Sequence, residues 1–283
     1  MTSRWAMFVD VDLCSNCRNC YLACKDEYVG NSFPGYSHPQ PLHGHDWIDI
    51  RVKERGQIPV LDVANVPVTC MQCDAAPCLK AGADGSVYKR DDGIVMIDPE
   101  KARGRKDIVA SCPYGAIYWN EELSVPQKWS FDAHLLDNGW TEPRASQACP
   151  TGAMTVRRIE DQELDEEVKA GNYEVLNPEF ATRPRVFYKN LHRYNKCFVS
   201  LTALSEKAGV RDVAVGARVT VRLPSGIELS TVTDDFGEAK IDGIEPGSDY
   251  QIRVEVGNSA GWTQSGVLDK SAWLGEVVLT TGD

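Results

Sequence analysis

The chain has 283 residues, 42% hydrophobic and 25% charged, with a formal net charge of −11 at pH 7. That length and composition fit one large or two ordinary globular domains. The acidic balance excludes a basic nucleic-acid-binding face, because phosphates need Lys and Arg to neutralise them, and no run approaches the ~18 apolar residues of a membrane-spanning helix.

The opening MTSRWAMFVDVD has neither a long apolar region nor a twin arginine, so a cytoplasmic location is expected. Ten cysteines in a chain without a secretory signal read as reduced thiols that bind metal. They crowd into the N-terminal part, with Cys197 alone in the tail.

Ala6–Val11 reads as a short strand. It leads into CSNCRNCYLAC, whose cysteines fall at Cys14, Cys17, Cys20 and Cys24. This is the C-x2-C-x2-C-x3-C run of bacterial ferredoxins, in which three thiolates hold corners of one cubane and the fourth ligates another. A disulfide cluster or a structural zinc site suits this packing of cysteines less well. Tyr21–Tyr28 reads as a turn or two of helix. The Pro-, Gly- and His-rich stretch NSFPGYSHPQPLHGHDW is a loop. His38, His43 and His45 in it have no ligand spacing and point to a surface or interface loop rather than a metal site. Asp46–Glu54 alternates as a strand does.

The second cysteine group, CMQCDAAPC, holds Cys70, Cys73 and Cys78. It has the same three-corner logic, and the place for a fourth cysteine is taken by Gly82. Ser86–Ile97 reads as a hairpin with Asp92-Gly93 at its turn. Two related pieces follow, CPYGAI and CPTGAM, carrying Cys112-Pro113 and Cys149-Pro150. A cysteine followed by proline closes the ferredoxin run. Each three-cysteine group needs one distant thiolate, and two distant thiolates exist.

Glu160–Ala170 is acidic and reads as a solvated helix. Beyond it the pattern becomes short β-branched alternating runs separated by Pro-Ser-Gly, Asp-Asp-Phe-Gly and Pro-Gly-Ser turns, an all-β sandwich or small barrel. The expected fold class is α+β, with an iron–sulfur domain at 1–196 and a β-sandwich domain at 197–283. No Ser-His-Asp pattern or phosphate-cradling glycine loop is present, so no catalytic residue is assigned.

Through CSNCRNCYLAC, CMQCDAAPC, IDPEK with CPYGA, and QK with AHLLDNG and ACPTGA, residues 1–195 resemble the four-cluster iron–sulfur subunit of dimethyl sulfoxide reductase-type molybdopterin oxidoreductases. RVKERGQ, DDGIVMIDPEKARGRK, AHLLD and the added β domain resemble the small subunits of pyrogallol–phloroglucinol transhydroxylases and resorcinol hydroxylases. The tail, through TDDFGEAKIDGIEPGSDYQIRV, resembles transthyretin-like or Cna-B-like sandwiches. The resemblance implies tandem ferredoxin-like folding and two [4Fe-4S] clusters, one on Cys14, Cys17, Cys20 and Cys149, the other on Cys70, Cys73, Cys78 and Cys112. One further cluster site is lost altogether, its positions now being Gly82, Ala102, Arg105 and Ile108. Another keeps Cys24 beside Trp129, Asp132 and Ala145. Trp129 and Ile108 suit apolar filling of a vacated site, and Arg105 is expected to reach solvent or an acid. Cys24, Asp132 and His134 are a weaker alternative metal set. Cys24 and Cys197 stay unassigned.

The resemblance also implies a large partner subunit that carries molybdenum and molybdopterin guanine dinucleotide, in a heterodimer or higher heteromer. The expected function is a non-catalytic subunit of a hydroxylase or transhydroxylase acting on phenols. The alternatives are an electron-transfer subunit of another molybdopterin oxidoreductase and a scaffold with vestigial clusters.

Overall fold

A computed structural model describes residues 3–257 and 261–280. The chain divides into two compact units, Met1–Val52 with Asn65–Leu191, and Lys53–Ala64 with His192–Asp283.

The first unit starts with β1 (Arg4–Asp10), buried along its middle. Helix α1 (Asn19–Tyr28) follows the cysteine loop. Strands β2 (Ile48–Gln57) and β3 (Val60–Thr69) form a hairpin. Then come α2 (Pro77–Ala81), β4 (Val87–Lys89), β5 (Val95–Ile97), α3 (Asp107–Ala110), β6 (Tyr118–Asn120), β7 (Val125–Gln127), α4 (Ala133–Asp137) and α5 (Arg144–Gln147). The unit closes with β8 (Met154–Ile159), α6 (Asp161–Ala170) and β9 (Val186–Lys189). β1 is central in a three-stranded sheet, antiparallel to β8 and parallel to β9. Ala6, Phe8, Ile159, Leu164 and Phe187 form a buried cluster on that sheet and α6. The expected β4–β5 hairpin turns at Gly93, whose φ of +87° favours glycine.

Much of the histidine loop is surface, His43 included, but His45 is buried. His45 lies under Tyr118, ring centroids 5.3 Å apart, with Nε2 3.0 Å from the Trp119 carbonyl, because the short β6–β7 pair covers it. His38 Nε2 sits 3.2 Å from Glu100, so these two rings do not converge on one ion.

The second unit contains α7 (His192–Asn195) and strands β10 (Cys197–Lys207), β11 (Val210–Val213), β12 (Arg218–Arg222), β13 (Glu228–Val232), β14 (Glu238–Ile244), β15 (Ser248–Glu255), β16 (Trp262–Leu268) and β17 (Ala272–Thr280). They make two four-stranded sheets, one of β11, β10, β14 and β17, the other of β13, β12, β15 and β16. The alternating runs turn one face inward: Val219 and Val221 of β12, Ile252 and Val254 of β15, and Val199 and Leu201 of β10 share one apolar core. The hairpin tip belongs to this unit. Arg55 donates from Nε to Asp62 at 2.8 Å and from Nη1 to Asp242 at 2.7 Å, and its guanidinium stacks over Phe198. Gly56, at φ +92°, admits no side chain, since a Cβ would lie 2.4 Å from the Val60 carbonyl and 2.6 Å from Phe198.

Candidate metal centres

β1 ends at Asp10, whose carboxylate accepts hydrogen bonds from the Asp12 backbone and from Asn190. Asn65 steadies the next turn by donating to the Cys14 carbonyl at 3.0 Å. Asn16 and Arg18 take left-handed conformations, φ 56° and 61°. The chain curls there, so that the Asn16 and Tyr21 backbone N–H groups point at the sulfurs of Cys14 and Cys20. Cys20 lies in the first turn of α1, and Cys24, four residues on, sits buried on the same face. Helix α5 packs against α1 and delivers Cys149 at its end, where Pro150 stops further helix. Charge on Cys17 or Cys149 bears on both Cys14 and Cys20. Burial raises Cys14 and pushes Cys20 up to about 11.

The second quartet grows from the end of β3. Cys70 and Cys73 follow Thr69, with Gln72 between them at φ 50°. Pro77 opens α2 and places Cys78 in its first turn. Cys112 follows α3, and its sulfur receives the backbone N–H groups of Tyr114, Gly115 and Ala116, a nest that favours a thiolate. Burial pushes Cys73 up to about 12 against a hydrogen bond from Thr182, and pushes Cys78 up to about 11 with the charges of Cys70 and Cys112 adding to it. Lys128, buried with Nζ 3.1 Å from the Trp129 carbonyl, offsets part of the Cys78 shift.

All ten cysteines are free thiols. Among the described residues no three Cys, His, Asp or Glu side chains are close enough to hold a single metal ion. Sulfurs that bear on one another within each group, with backbone amides beside Cys14, Cys20 and Cys112, have the donor chemistry of a cubane site rather than of a single ion. The iron of a cubane would keep deprotonated sulfurs that burial otherwise holds as thiols.

The positions Cys24, Trp129, Asp132 and Ala145 also come together, without forming a metal site. Trp129 and Ala145 are fully buried. Asp132 Oδ1 accepts from Trp129 Nε1 at 2.7 Å and Tyr28 Oη at 2.9 Å, and Oδ2 accepts from the Arg144 backbone at 2.9 Å. Burial drives the Asp132 carboxyl above its ordinary range, against these donors. Burial, and then the nearby Asp132 charge, hold Cys24 as a thiol. His134 is taken by Glu27 at 2.8 Å and stacks on Phe33. At the other lost site Ala102 and Ile108 are fully buried. A Cβ on Gly82 would meet Val87 Cγ2 at 2.4 Å. Arg105 pairs with Asp84 and Asp107, the acidic partners expected of it. Cys197 lies in the core of the second unit.

Asn65, Lys128 and Thr182 escaped the sequence reading. Each comes to the cysteines from a remote segment and has no spacing that announces it.

Residues 61–159 match the family model of the 4Fe-4S dicluster domain. The chain is 37% identical over 279 residues to the pyrogallol hydroxytransferase small subunit of Pelobacter acidigallici, covering 98% of this chain and 99% of that one. It is 30% identical to the thiosulfate reductase electron transfer subunit of Salmonella typhi, over 58% of this chain and 81% of that one. It is 29% identical to a tetrathionate reductase subunit of Salmonella typhimurium, over 66% and 73%. With a 4Fe-4S dicluster match at residues 61–159 and a relative matched over nearly its full length, the chain belongs to the iron–sulfur small subunits of the dimethyl sulfoxide reductase family of molybdopterin oxidoreductases.

Proposed function

We propose that this chain is the non-catalytic small subunit of a molybdopterin-dependent hydroxylase or transhydroxylase acting on phenolic compounds. Cys14, Cys17, Cys20 and Cys149 hold one [4Fe-4S] cluster, and Cys70, Cys73, Cys78 and Cys112 hold the other. When bound, each cluster accepts or releases one electron at a time. A large catalytic partner carries molybdenum and molybdopterin guanine dinucleotide. In this reading residues 1–196 are the iron–sulfur domain, with the tip at 53–64 going over to the tail, and 197–283 are a transthyretin- or Cna-B-like sandwich.

The observation that carries the reading is the stretch from Lys128 to Asp132. Lys128 bears on Cys78 at one end. Asp132 bears on Cys24 at the other, and Cys24 in turn feels Cys20. In this reading a buried indole, a carboxylate and the Tyr28 hydroxyl, bonded to one another, occupy the way between the quartets. Tunnelling falls steeply with distance, so a chain of clusters interrupted here conducts poorly from end to end. That suits a partner whose net reaction moves a hydroxyl group without net oxidation. The same residues act locally in three ways. The Cys112 nest and the Asn16 and Tyr21 amides stabilise thiolate charge. Burial of Cys20, Cys73 and Cys78 limits water near the sulfurs. Exposed Leu13 and Leu22 leave the first quartet's face open to a partner.

The likeness to the two Salmonella subunits favours a second reading, electron transfer in another molybdopterin oxidoreductase. Iron and sulfide analysis with electron paramagnetic resonance on the purified complex tests the assignment. About eight iron atoms on this chain are expected from two cubanes. About twelve or sixteen would sink the argument from interruption. Reduction and reoxidation of both clusters on every turnover would favour the second reading.

A further inference from the structure

An open cavity of about 420 Å³ lies beside Tyr114, Thr182 and Arg185, within the size range of small-molecule sites. Tyr114 and Thr182 form part of its wall, and both are buried. Their hydroxyls lie 2.8 Å apart. The Thr182 hydroxyl hydrogen-bonds the Cys73 sulfur, and the Tyr114 N–H points at Cys112. Two residues of the cavity wall therefore also bear on two of the four sulfurs.

Three features define what would fit. Leu164, Val175 and Phe187 give the cavity an apolar side. The three arginines on it, Arg4, Arg183 and Arg185, face an equal number of acids, Asp74, Asp161 and Asp165, and the first two acids pair with them. Arg4 Nη1 is 2.9 Å from Asp74 and Arg185 Nη1 is 3.0 Å from Asp161. A phosphate-bearing carrier finds no surplus cation there, and an uncharged ring needs none. The cavity is also held in shape. Asn177, Ala181 and Arg183 sit at φ 52°, 50° and 51°, conformations that non-glycine residues keep only where surroundings enforce them. The Asp74 and Ala75 backbones donate to the Arg183 and Thr182 carbonyls at 2.8 and 2.9 Å, which ties this loop to the cysteine loop.

We propose that this cavity binds an uncharged aromatic redox carrier of the quinone class and passes electrons between it and the Cys70–Cys112 quartet. The proposal rests on the assignment of a cluster to that quartet. In the reducing direction a hydroquinone loses both O–H hydrogens: two protons go to water at the cavity mouth. Its two electrons reduce the second cluster of two protein molecules, one each, in successive encounters, and the ring leaves as the quinone.

The test uses the purified complex with 1,4-naphthoquinone and its hydroquinone, and flavin mononucleotide as a charged comparison. Equilibrium dialysis reads binding, and growth of the reduced-cluster resonance reads electron transfer. Val175→Trp fills the apolar side and should weaken naphthoquinone binding by at least roughly tenfold. Thr182→Val, which removes the wall hydroxyl beside Cys73, should slow reduction by the hydroquinone several-fold more than reduction by dithionite. Failure of the complex to retain naphthoquinone, or equal retention by Val175→Trp, overturns the proposal, as does tighter binding of flavin mononucleotide. Iron analysis of the same samples reads the cluster assignment separately: absent iron with retained quinone would end the redox role and leave the ring site standing.

Discussion

Trp129→Ala tests whether the space around Trp129, Asp132 and Ala145 is packed as solid protein. The indole is fully buried and its ring centroid lies 5.0 Å from that of Phe131. Its Nε1 is one of three donors to Asp132. Truncation of a buried Trp costs about 3–5 kcal/mol through lost transfer energy and the cavity left behind. Loss of a hydrogen bond to a charged group adds about 1.5–3 kcal/mol. Partial collapse of the site brings the expected total to roughly 4–6 kcal/mol. Trp129→Phe separates the two contributions, because it keeps most of the apolar volume and removes only the donor, so about 1–3 kcal/mol is expected. The assay is anaerobic thermal unfolding of the complex followed by tryptophan fluorescence, after iron analysis shows both variants fully loaded. At about 2–4 °C per kcal/mol for a domain of this size, the Ala variant should melt more than 8 °C below wild type and the Phe variant a few degrees below. An Ala variant that melts with wild type would refute the packed site and, with it, the reading that protein rather than cofactor fills this space.

The other expectations are simpler to check. Cys24→Ala should leave the iron content of the chain unchanged, because Cys24 is buried and lies near Asp132; loss of iron would return Cys24 to the ligand set. Arg55→Met should cost about 3 kcal/mol, the low end for breaking a buried ion pair, since Asp62 keeps Arg193 at 2.5 Å and Lys240 at 3.5 Å. Hydrogen exchange should then accelerate at residues 53–64, and unchanged protection there would contradict a role for the Arg55 bonds to Asp62 and Asp242 in holding this tip. Burial alone would raise Asp62 and Asp242, but hydrogen bonds from Arg193 and Arg55 to Asp62, and from Arg55 to Asp242, hold both below their ordinary 3.8. Their contribution is complete above that value and disappears as pH falls through the folded values beneath it. Acid titration followed by circular dichroism should show the β-rich unit weakening below about pH 4, with a flatter profile in Arg55→Met.

Ligand chemistry made the cysteines legible, because a cubane dictates how far apart its first three thiolates stand along the chain. The hairpin at 87–97 and the alternating tail were legible for a similar reason: glycine turns and a two-residue period are local properties. Strand Val60–Thr69 was not, since Asn65 and Pro67 interrupt its β signal and its partner strand overrides them. The histidine loop looked like surface because its composition is that of a loop, yet the burial of His45 depends on residues near Tyr118. Asp132 showed itself only as a missing cysteine, and the three donors that make it tolerable come from separate stretches of chain.

The hairpin of β2 and β3 begins in one compact unit and ends its turn in the other. The β-rich tail is therefore no detachable cassette. A gene fragment starting at His192 would encode Asp242 and Phe198 without Arg55, and Arg193 without Asp62. During synthesis the tip leaves the ribosome long before the strands that enclose it, so Arg55 and Asp62 wait for them as a solvated pair. Grafting this tail onto another iron–sulfur subunit would require carrying the tip along, and an ancestor that acquired the tail had to gain both pieces, or the fit between them, together.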